Sequence, residues 1–468
     1  MATPVPISVP LVAIPDQYNA ASVFLDSNLS AGRGAKTAIT CDGEQYTYAD
    51  LVAQANQVGN GLRGLGVEIE QRVALILLDS PAFATTFFGA IKIGAVPVPV
   101  NTLLRPADFV YILNDSRAKV LFIHASLWAT VQTILPQLTF LRHVIVVGLE
   151  REAATEAAPK RGFLSRRAPA TAAAPPTLAT ASGSATIFDF DEWRTSASSQ
   201  LTAAPTSKDD SAFWLYSSGS TGFPKGCVHL QHDMTYCTEY YAKPILGMNE
   251  RDIAFSSSKL FFAYGLGNGL YFPFGVGASV VHHPGRPAPE ELFKVVQQTR
   301  PTLFFAVPTV YAAMLALPDA EQRFDFSSVR ACVSAGEALP ADILRRWQDR
   351  VHVDILDGIG STEILHIFIS NRPGDIRLGS TGRLVPGYEA RIVDDAGQPT
   401  PTGEMGTLQI SGDSTTAYYW NKHDKSKEVI QGRWISTGDT YSQDEDGYYW
   451  YAGRADDMLR VGGRWVSP

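Results

Sequence analysis

The stretch at residues 73–100, VALILLDSPAFATTFFGAIKIGAVPVPV, decides the fold class. It opens with the apolar run 73–78 and closes with a second apolar run at 95–100. Residues 81–93 between the two runs predict a helix. Two buried strands joined by a helix form a βαβ unit, in which the strands are parallel. We therefore predict an α/β fold built on a parallel sheet.

The residues on either side extend this pattern. The segment at 47–50, Thr-Tyr-Ala-Asp, is typical of a capping box. After it, apolar residues recur at helical spacing up to Gly66, at Leu51, Ala55, Val58, Leu62 and Leu65. This spacing predicts an amphipathic helix that ends in a glycine cap. Apolar runs at 120–123 and 144–147 predict two further strands.

The second half of the chain alternates in the same way from Ser211 onward. The predicted strands are 212–216, 279–281, 303–306, 329–334 and 353–356, and the predicted helices are 290–298 and 341–350. After Gly382 the pattern changes to short strands between glycine turns, at 390–393, 406–410 and 448–451. We predict two mostly parallel sheets flanked by helices, followed by a small β-barrel-like subdomain.

Bulk composition favours a small-molecule function. The chain has 468 residues, of which 45% are hydrophobic, so it is long enough to bury a large core. Lys and Arg number 39 and Asp and Glu number 47, which gives a formal charge of −8. This balance provides no electrostatic footprint for nucleic acid or for an anionic membrane.

Cysteine usage and the first residues favour a cytoplasmic location. Cys41, Cys227, Cys237 and Cys332 are scattered without a CxxC pair, which argues against a disulfide framework or a zinc site. Residues 1–29 contain no Lys or Arg and four prolines, so they do not resemble a signal peptide. The most apolar stretch, 303–317, is too short for a membrane span and predicts a strand followed by a helix.

Residues 151–186 interrupt the alternation. The stretch 168–186 reads APATAAAPPTLATASGSAT and has almost no large apolar side chains. Such a segment cannot offset the entropy lost on ordering, so we predict a mobile surface insertion. The alternative is a partner-binding arm that carries Arg161, Arg166 and Arg167.

The strongest local signal is YSSGSTGFPKG at residues 216–226, which follows a predicted buried strand. Glycines let the backbone turn its N–H groups inward, hydroxyl groups add donors, and a lysine adds a positive charge. We predict a phosphate-binding loop formed by Ser217, Ser218, Gly219, Ser220, Thr221, Gly222 and Lys225. It is not a Walker A sequence, because no Ser or Thr follows the lysine. The alternative is a flexible glycine-serine turn.

Two further segments lie where apolar runs end, which is where ligands collect in parallel sheets. In DGIGSTE, at 357–363, Thr362 is placed to contact a phosphate and Glu363 to bind Mg²⁺. The other segment is SAGEAL at 334–339. Each alone predicts a helix N-cap turn as readily as a site, but both occur together with the phosphate loop.

These blocks, in this order, resemble the core motifs of the adenylate-forming superfamily over nearly the whole chain. FWLYSSG at 213–219, KLFFAYGLGN at 259–268 and DGIGSTEILHIF at 357–368 are similar to benzoate-CoA ligases in particular. The resemblance implies the fold of the superfamily's large N-terminal domain. It also implies ATP, Mg²⁺ and CoA as reactants or cofactors, and a two-step activation of an aryl carboxylate through an acyl-adenylate.

The resemblance also implies roles for individual residues. Adenine would lie among Gly336, Glu337, Ala338, Asp357, Gly358 and Ile359. Asp439 and Arg454 would bind the ribose hydroxyls, which suits a carboxylate acceptor and a forked donor. Lys225, Thr362 and Glu363 would be catalytic. The aryl group would lie in a slot lined by Ala263, Tyr264, Ala335, Gly336, Gly360, His366 and Ile367. Without the resemblance, His366 would be interpreted as a core or capping histidine.

The chain departs from the family pattern in three places. Related ligases often have His-Thr-His after the phosphate loop, where this chain has His229-Leu-Gln231 followed by His232. Arg460 stands where benzoate ligases tend to have lysine. The chain also stops at Pro468, where relatives continue into a small domain with an adenylation lysine. We expect domains at 1–453 and 454–468, and slow ligation, because losing such a donor costs about 10²–10³ in rate.

Three functions stay open at this point. The leading one is a benzoate-CoA ligase, and the second is a ligase for hydroxy- or aminobenzoate, because one ring substituent changes affinity by only about 1–3 kcal/mol. The third is a non-catalytic protein that binds a nucleotide or an acyl-adenylate. Homodimerisation is implied only as a habit of the family.

Overall fold

The computed structural model describes residues 9–149, 179–180, 185–219, 222–454, 459–461 and 464–466. The α-helices in these residues, in chain order, are α1 (Ser27–Ser30), α2 (Tyr48–Gly64), α3 (Pro81–Lys92), α4 (Pro106–Asp115), α5 (Ala125–Gln132), α6 (Phe190–Thr195), α7 (Asp233–Cys237), α8 (Ala263–Leu266), α9 (Phe272–Val276), α10 (Pro289–Thr299), α11 (Pro308–Leu315), α12 (Ala320–Arg323), α13 (Ala341–Val351) and α14 (His423–Val429). Short π-helices lie at Ser22–Asp26, Thr238–Ala242 and Gly267–Tyr271, and short 3₁₀-helices at Leu135–Gln137 and Thr362–Ile364.

The strands alternate with these helices. In chain order they are β1 (Thr37–Cys41), β2 (Glu44–Thr47), β3 (Arg72–Ile76), β4 (Val96–Pro99), β5 (Val120–His124), β6 (His143–Val147), β7 (Ala179–Thr180), β8 (Thr186–Asp189), β9 (Ser211–Gly219), β10 (Gly222–Leu230), β11 (Ile253–Ser256), β12 (Ser279–His282), β13 (Leu303–Ala306), β14 (Ala331–Ser334), β15 (Ile355–Gly360), β16 (Ile367–Ser370), β17 (Arg383–Leu384), β18 (Glu389–Val393), β19 (Gly406–Ser411), β20 (Ile430–Gln431), β21 (Trp434–Gln443), β22 (Tyr449–Arg454), β23 (Leu459–Val461) and β24 (Arg464–Val466).

The predicted βαβ unit is confirmed. Strands β3 and β4 pair in parallel on either side of α3, within a six-stranded sheet ordered β4-β3-β5-β6-β8-β7. The predicted capping box is also present, because the Thr47 hydroxyl accepts from Asp50 N and an Asp50 carboxylate oxygen accepts from Thr47 N. Helix α2 therefore begins where its sequence predicts.

A nine-stranded sheet forms the second large layer, in the order β17-β16-β15-β14-β13-β11-β12-β1-β2. Its central strands are parallel, and β2, β16 and β17 are antiparallel to their neighbours. The predicted small β subdomain is confirmed as the antiparallel sheet of β18, β19, β20, β21 and β22. The fold is thus the predicted one of two mostly parallel sheets with a smaller β unit.

Alternating residues on each large sheet belong to different cores. On β3, Val73 and Leu75 pack into a core shared with α2 and α3, whereas Ala74 and Ile76 pack into a separate core on the opposite face. On β13, Phe305 joins the shared core and Phe304 joins a third one. This period of two is what buries both faces of a parallel sheet.

Two predictions about the middle of the chain are wrong. Regular structure resumes before Ser211, because β8 pairs in parallel with β6 and is followed by α6. Most of the predicted insertion lies outside the described residues. In addition, β9 does not join a parallel sheet but forms an antiparallel hairpin with β10. Among the described residues, no helix has the length and apolar composition needed to cross a membrane.

Candidate active site

A cavity of about 920 Å³ opens between the β9–β10 hairpin, the ends of β14 and β15, and the small antiparallel sheet. The predicted nucleotide residues that line it are Ser217, Gly222, Lys225, Gly336, Glu337, Ala338, Asp357, Gly358, Ile359, Thr362, Glu363, Asp439 and Arg454. These residues come from five separate parts of the sequence. Their convergence on one cavity is what the motif analysis requires of a nucleotide site.

The hairpin places the predicted phosphate-binding residues in strands. Ser217 lies in β9 directly opposite Lys225 in β10, so both face the same part of the cavity. The prediction that residues 217–225 form a loop after the strand is therefore wrong for most of the motif. Ser218 and Gly219 continue β9, and Ser220 and Thr221 lie outside the described residues.

Glu363 lies at the centre of a hydrogen-bonded network. Its Oε1 accepts from the Ser217 hydroxyl at 3.1 Å and from the Tyr419 hydroxyl at 2.9 Å. The Lys225 ammonium lies 4.7 Å from the centroid of the Tyr419 ring. One carboxylate and one ammonium group are thus held on the same wall of the cavity.

This wall fits a magnesium ion that is shared with phosphate oxygens. Mg²⁺ prefers oxygen ligands and is usually held by one or two carboxylates together with substrate phosphates. Glu363 provides one such carboxylate. Within the part of the chain that the structure describes, no cluster of three or more His, Cys, Asp or Glu side chains is arranged to bind a metal alone. A magnesium ion here would be held by Glu363 together with phosphate oxygens and water.

The predicted adenine residues follow two neighbouring parallel strands. Gly336, Glu337 and Ala338 come after β14, whereas Asp357, Gly358 and Ile359 lie within β15 rather than after it. Asp357 is buried, and this burial raises its pKa well above the usual value of an aspartate.

Asp439 and Arg454 face each other across two strands of the small sheet. They are paired residues in the register of β21 and β22, and Arg454 Nη1 donates to Asp439 Oδ1 at 3.0 Å. Burial raises the pKa of Asp439, and the guanidinium of Arg454 acts in the opposite direction. This places an acceptor and a forked donor side by side, and their role in binding a ribose stays a prediction.

Five of the seven predicted aryl residues lie outside this cavity. Only Gly336 and Gly360 of that set also line the cavity, and Ala335, His366 and Ile367 are buried. Tyr264 donates to Val333 O at 2.9 Å, and its ring centroid lies 5.7 Å from that of His366. The set is therefore contiguous, with Ala263 and Tyr264 beginning α8 on one side.

His366 is held as a neutral ring with a defined orientation. Its Nε2 donates to Asn268 Oδ1 at 3.1 Å and lies 3.4 Å from Tyr264 O, while Nδ1 is buried without a partner among the described residues. Burial lowers the pKa of His366 to about 3. A Cβ on Gly267 would lie 2.4 Å from His366 Cδ2, so the ring packs against a position that only glycine can occupy.

Sequence reasoning missed Tyr419, Lys422 and Lys425, which also line the cavity. They lie between β19 and β20, and no motif in that segment indicates a ligand. Tyr419 reaches the site because it forms a bridge with Cys227 of β10, and Trp420 N donates to Gly226 O at 2.8 Å. Only this long-range pairing could have identified it.

The departure at 229–232 does not reach the cavity. His229 is fully buried, where Nε2 donates to Thr362 O at 2.8 Å and Nδ1 is hydrogen-bonded to Asp233 at 2.8 Å. Gln231 is also buried, and its Oε1 accepts from Ala20 N. The substitution at 231 therefore affects packing against the N-terminal segment. Arg460 lies in β23, and its side chain is outside the described atoms.

The sequence of this chain is similar to those of known proteins. The family model described as AMP-binding enzyme matches residues 27–420. A benzoate-CoA ligase of Thauera aromatica is 46% identical over 98% of this chain and 81% of its own length. A 4-hydroxybenzoate-CoA/benzoate-CoA ligase of Rhodopseudomonas palustris is 41% identical over 96% of this chain and 77% of its own length.

Solved structures agree with these relatives. An anthranilate CoA ligase in complex with anthranoyl-AMP has a TM-score of 0.86 and 42% identity, over 97% of this chain and 81% of its own. A benzoate CoA ligase from Burkholderia xenovorans has a TM-score of 0.82 and 40% identity, over 95% and 81% of the two chains. With its nucleotide motifs gathered around one cavity, the chain belongs to the AMP-binding enzyme family, within the group of aryl-CoA ligases.

Proposed function

We propose that the chain activates benzoate, or a closely related aryl carboxylate, with ATP and transfers it to CoA. In the first step a carboxylate oxygen attacks the α-phosphorus of ATP, the bond to the β-phosphate breaks, and pyrophosphate leaves. In the second step the CoA sulfur attacks the adenylate carbonyl and AMP leaves, so that the thiol proton is released and no covalent enzyme intermediate forms.

One observation carries this proposal. Ser217, Lys225 and Glu363 meet Asp439 and Arg454 around a single cavity, in a chain that is 46% identical to a benzoate-CoA ligase. The hairpin side supplies a positive charge and hydroxyl donors for phosphates, and the small sheet supplies partners for a ribose. The carboxyl ends of β14 and β15 lie between them, where a base would fit.

The hairpin side of the cavity would hold the reacting phosphates. Lys225 would leave the Tyr419 ring and contact a phosphate oxygen, because an exposed cation–π contact contributes only about 0.5–1 kcal/mol. The ammonium group would then face the negative charge that develops during transfer. Thr362 lies on the same wall and its hydroxyl would contact the phosphate next to the ribose.

Mg²⁺ would be bound by Glu363 together with phosphate oxygens, and when bound it would neutralise charge on the nucleotide. Ser217 and Tyr419 both donate to Glu363, so they orient its carboxylate and leave the other oxygen for a ligand. The network thus prepares one metal ligand in advance.

The aryl ring would lie against the contacting side chains of Tyr264 and His366, with Gly360 and Gly336 opening the slot toward the nucleotide. Gly360 has no room for a side chain, because a Cβ there would lie 2.7 Å from His366 O. A neutral, buried His366 suits an apolar ring. This pocket leaves the carboxylate of the acid directed toward the cavity.

An amino- or hydroxybenzoate is the second candidate substrate. The observation that favours it is the buried Nδ1 of His366, which has no partner among the described residues and, with Nε2 carrying the proton, can only accept. A ring donor on the substrate would satisfy it. The 42% identity to an anthranilate CoA ligase supports the same candidate.

A cytoplasmic location and homodimerisation are also part of the proposal. All four cysteines are buried free thiols, which is usual in a reducing compartment. Homodimerisation stays a prediction from the family resemblance.

The test is a panel of benzoate, 2-aminobenzoate, 3- and 4-hydroxybenzoate and acetate, with ATP, Mg²⁺ and CoA. Binding of each acid is measured by calorimetry, and turnover by pyrophosphate release and thioester formation. We expect aryl acids to bind and to release pyrophosphate, with Lys225→Ala as the matched inactive control. Turnover of acetate with no response to any aryl acid would refute the proposal, and binding without release would favour a nucleotide or acyl-adenylate binder.

A further inference from the structure

We propose that Asp79 and Lys259 form a positioning pair that fixes the wall of the aryl site carried by Ala263 and Tyr264. This inference rests on the proposed function, because it assigns these two residues to the binding of the aryl acid. Neither residue lines the nucleotide cavity described above.

The pair joins the two large sheets. Asp79 follows β3 of the six-stranded sheet, Lys259 follows β11 of the nine-stranded sheet, and Lys259 Nζ lies 3.5 Å from Asp79 Oδ2. The side chains are 5% and 18% exposed, respectively. An ion pair this far from solvent is screened only weakly, so breaking one half leaves an uncompensated charge.

The Lys259 ammonium group also forms hydrogen bonds with the loop that follows β12. It donates to His283 O at 2.6 Å and to Gly285 O at 2.7 Å, just after β12. Together with Asp79, these carbonyl groups provide one acceptor for each of its three protons. Lys259 follows β11, and the groups that hold its ammonium follow β3 of one large sheet and β12 of the other.

Asp79 contacts the backbone that follows Lys259 as well as the Lys259 ammonium group. Asp79 Oδ1 accepts from Leu260 N at 3.0 Å. Burial is the largest influence on this carboxyl and raises its pKa to about 6, while Lys259 and the Leu260 amide act in the opposite direction. Lys259 and the Leu260 amide thus stabilise the charged form of Asp79, and Asp79 in turn positions both.

Backbone hydrogen bonds between residues three or four positions apart connect this pair to the aryl wall. Phe262 N donates to Lys259 O at 3.0 Å, and Leu266 N donates to Phe262 O at 2.8 Å. A Cβ on Gly265 would lie 2.1 Å from Lys259 O, so α8 rests directly on the Lys259 peptide. A displacement of Lys259 must therefore move α8, which begins with Ala263 and Tyr264.

The nucleotide residues stand on different elements. Lys225 lies in β10, Glu363 follows β15, and Asp439 lies in β21. A loosened α8 should therefore weaken the binding of the aryl acid without an equal effect on ATP. This selectivity separates a positioning role from general destabilisation of the fold.

The experiment compares Asp79→Asn and Lys259→Arg with the wild-type chain. Asn keeps an acceptor for Leu260 N but removes the charge that faces Lys259, and Arg keeps the charge but not the three-acceptor geometry. We measure Kd for benzoate and for ATP with Mg²⁺, and KM for each in pyrophosphate release. A misplacement of about 1 Å can reduce activity by on the order of 10²-fold, so we expect benzoate binding to weaken by about 10- to 100-fold and ATP binding to change by less than about twofold.

The matched control is Asp26→Asn. Lys92 and Asp26 form another ion pair, at 2.7 Å, in which Lys92 is 4% exposed and Asp26 is 32% exposed. Lys92 also donates to Asn56, on α2. Loss of the Asp26–Lys92 ion pair should lower the free energy of unfolding without a selective effect on the Kd for benzoate.

Equal losses of benzoate and ATP affinity, or no loss in either variant, would overturn the inference while leaving the proposed function intact. A selective loss that also appears in Asp26→Asn would overturn it too. If Asp79→Asn does not fold, Lys259→Arg decides alone. A wild-type chain that binds ATP but no aryl acid would overturn both the inference and the proposed function.

Discussion

The Lys225 ammonium lies over the ring of Tyr419, 4.7 Å from its centroid. The hydroxyl of the same tyrosine donates to Glu363. One side chain thus holds the cation proposed for the phosphates and the carboxylate proposed for the metal, although it lies nearly 200 residues from Lys225 in sequence. Tyr419 is therefore expected to influence ATP more than the aryl acid.

Tyr419→Phe removes the hydrogen bond to Glu363 and keeps the ring beneath Lys225. We expect kcat/KM for ATP to fall by about tenfold, because a hydrogen bond to a charged group contributes roughly 1.5–3 kcal/mol. Tyr419→Leu removes the ring as well and should reduce it further. Steady-state kinetics measure both, with Tyr418→Phe as the neighbouring control, and unchanged kinetics in Tyr419→Phe would contradict the assignment.

Glu363→Gln keeps the shape of the side chain but removes its charge. We expect the Mg²⁺ concentration for half-maximal rate to rise by at least about tenfold, since even outer-shell changes weaken metal sites by about 10–100-fold. A magnesium titration at saturating ATP measures this. Glu428→Gln, which changes another carboxylate of the same cavity, should leave the magnesium titration unaltered.

Asp439→Asn tests the ribose site through the choice of nucleotide. The wild type should prefer ATP over 3′-deoxy-ATP by about 10- to 100-fold, because a hydrogen bond to a charged group contributes roughly 1.5–3 kcal/mol. The variant should lose most of this preference while binding both nucleotides. Asp444→Asn, which breaks the ion pair with Arg377 elsewhere on the small β unit, serves as the control. Equal discrimination in Asp439→Asn and wild type would remove Asp439 from the ribose site.

His366 should make the fold sensitive to acid. Its pKa is about 3 in the folded chain and about 6.5 when exposed, so the unfolded state binds the proton first as pH falls. Its contribution to stability is complete above pH 6.5 and is lost as pH falls from 6.5 toward 3. Urea denaturation measures the free energy of unfolding of His366→Phe and of the wild type at pH 4.5 and at pH 7.5. The difference between the two proteins should favour His366→Phe more strongly at pH 4.5 than at pH 7.5. A difference that does not change with pH would refute the buried, neutral ring.

Thr47→Ala should lower the free energy of unfolding by about 1 kcal/mol, because it removes the side-chain acceptor for Asp50 N at the start of α2. Thr47→Ser keeps the hydroxyl and should be close to wild type. Chemical denaturation of the three proteins measures the difference. Equal stability of Thr47→Ala and wild type would show that the first turn of α2 is held by packing alone.

Local patterns predicted much of the fold. The βαβ unit at 73–100 and the cap at Thr47 depend on residues close together in sequence, and both are confirmed. The segment at 334–339 does begin where a parallel strand ends, as predicted, whereas residues 357–360 of the second segment continue β15 instead of following it. Periodicity and capping act over a few residues, which is why a single sequence reveals them.

The hairpin could not be predicted in this way. A strand followed by glycines and serines predicts a loop, but the β10 side of the motif pairs with residues near Tyr419. Val228 N donates to Tyr418 O at 3.1 Å, which extends the sheet-like bonding to that distant segment. Pairing of β10 with the adjacent β9, extended by the distant segment at Tyr419, overrode the preference of the glycines for a loop.

The order of the aryl residues was predictable, but their depth was not. Motif resemblance grouped Tyr264 with His366, and the structure places their rings 5.7 Å apart. That Asn268 orients the His366 ring depends on the packing of α8 and the residues after it. No spacing in the sequence indicates that contact.

The β9 strand has one more consequence. Phe213 and Leu215 pack into the core shared by the two sheets, whereas Trp214 between them packs into the core on the far side of the six-stranded sheet. The strand that carries Ser217 therefore separates two hydrophobic cores, which pack independently on its two faces. If these interiors melt at different temperatures, catalysis should fail at the lower one, so that thermal inactivation reports the weaker cooperative unit rather than global unfolding.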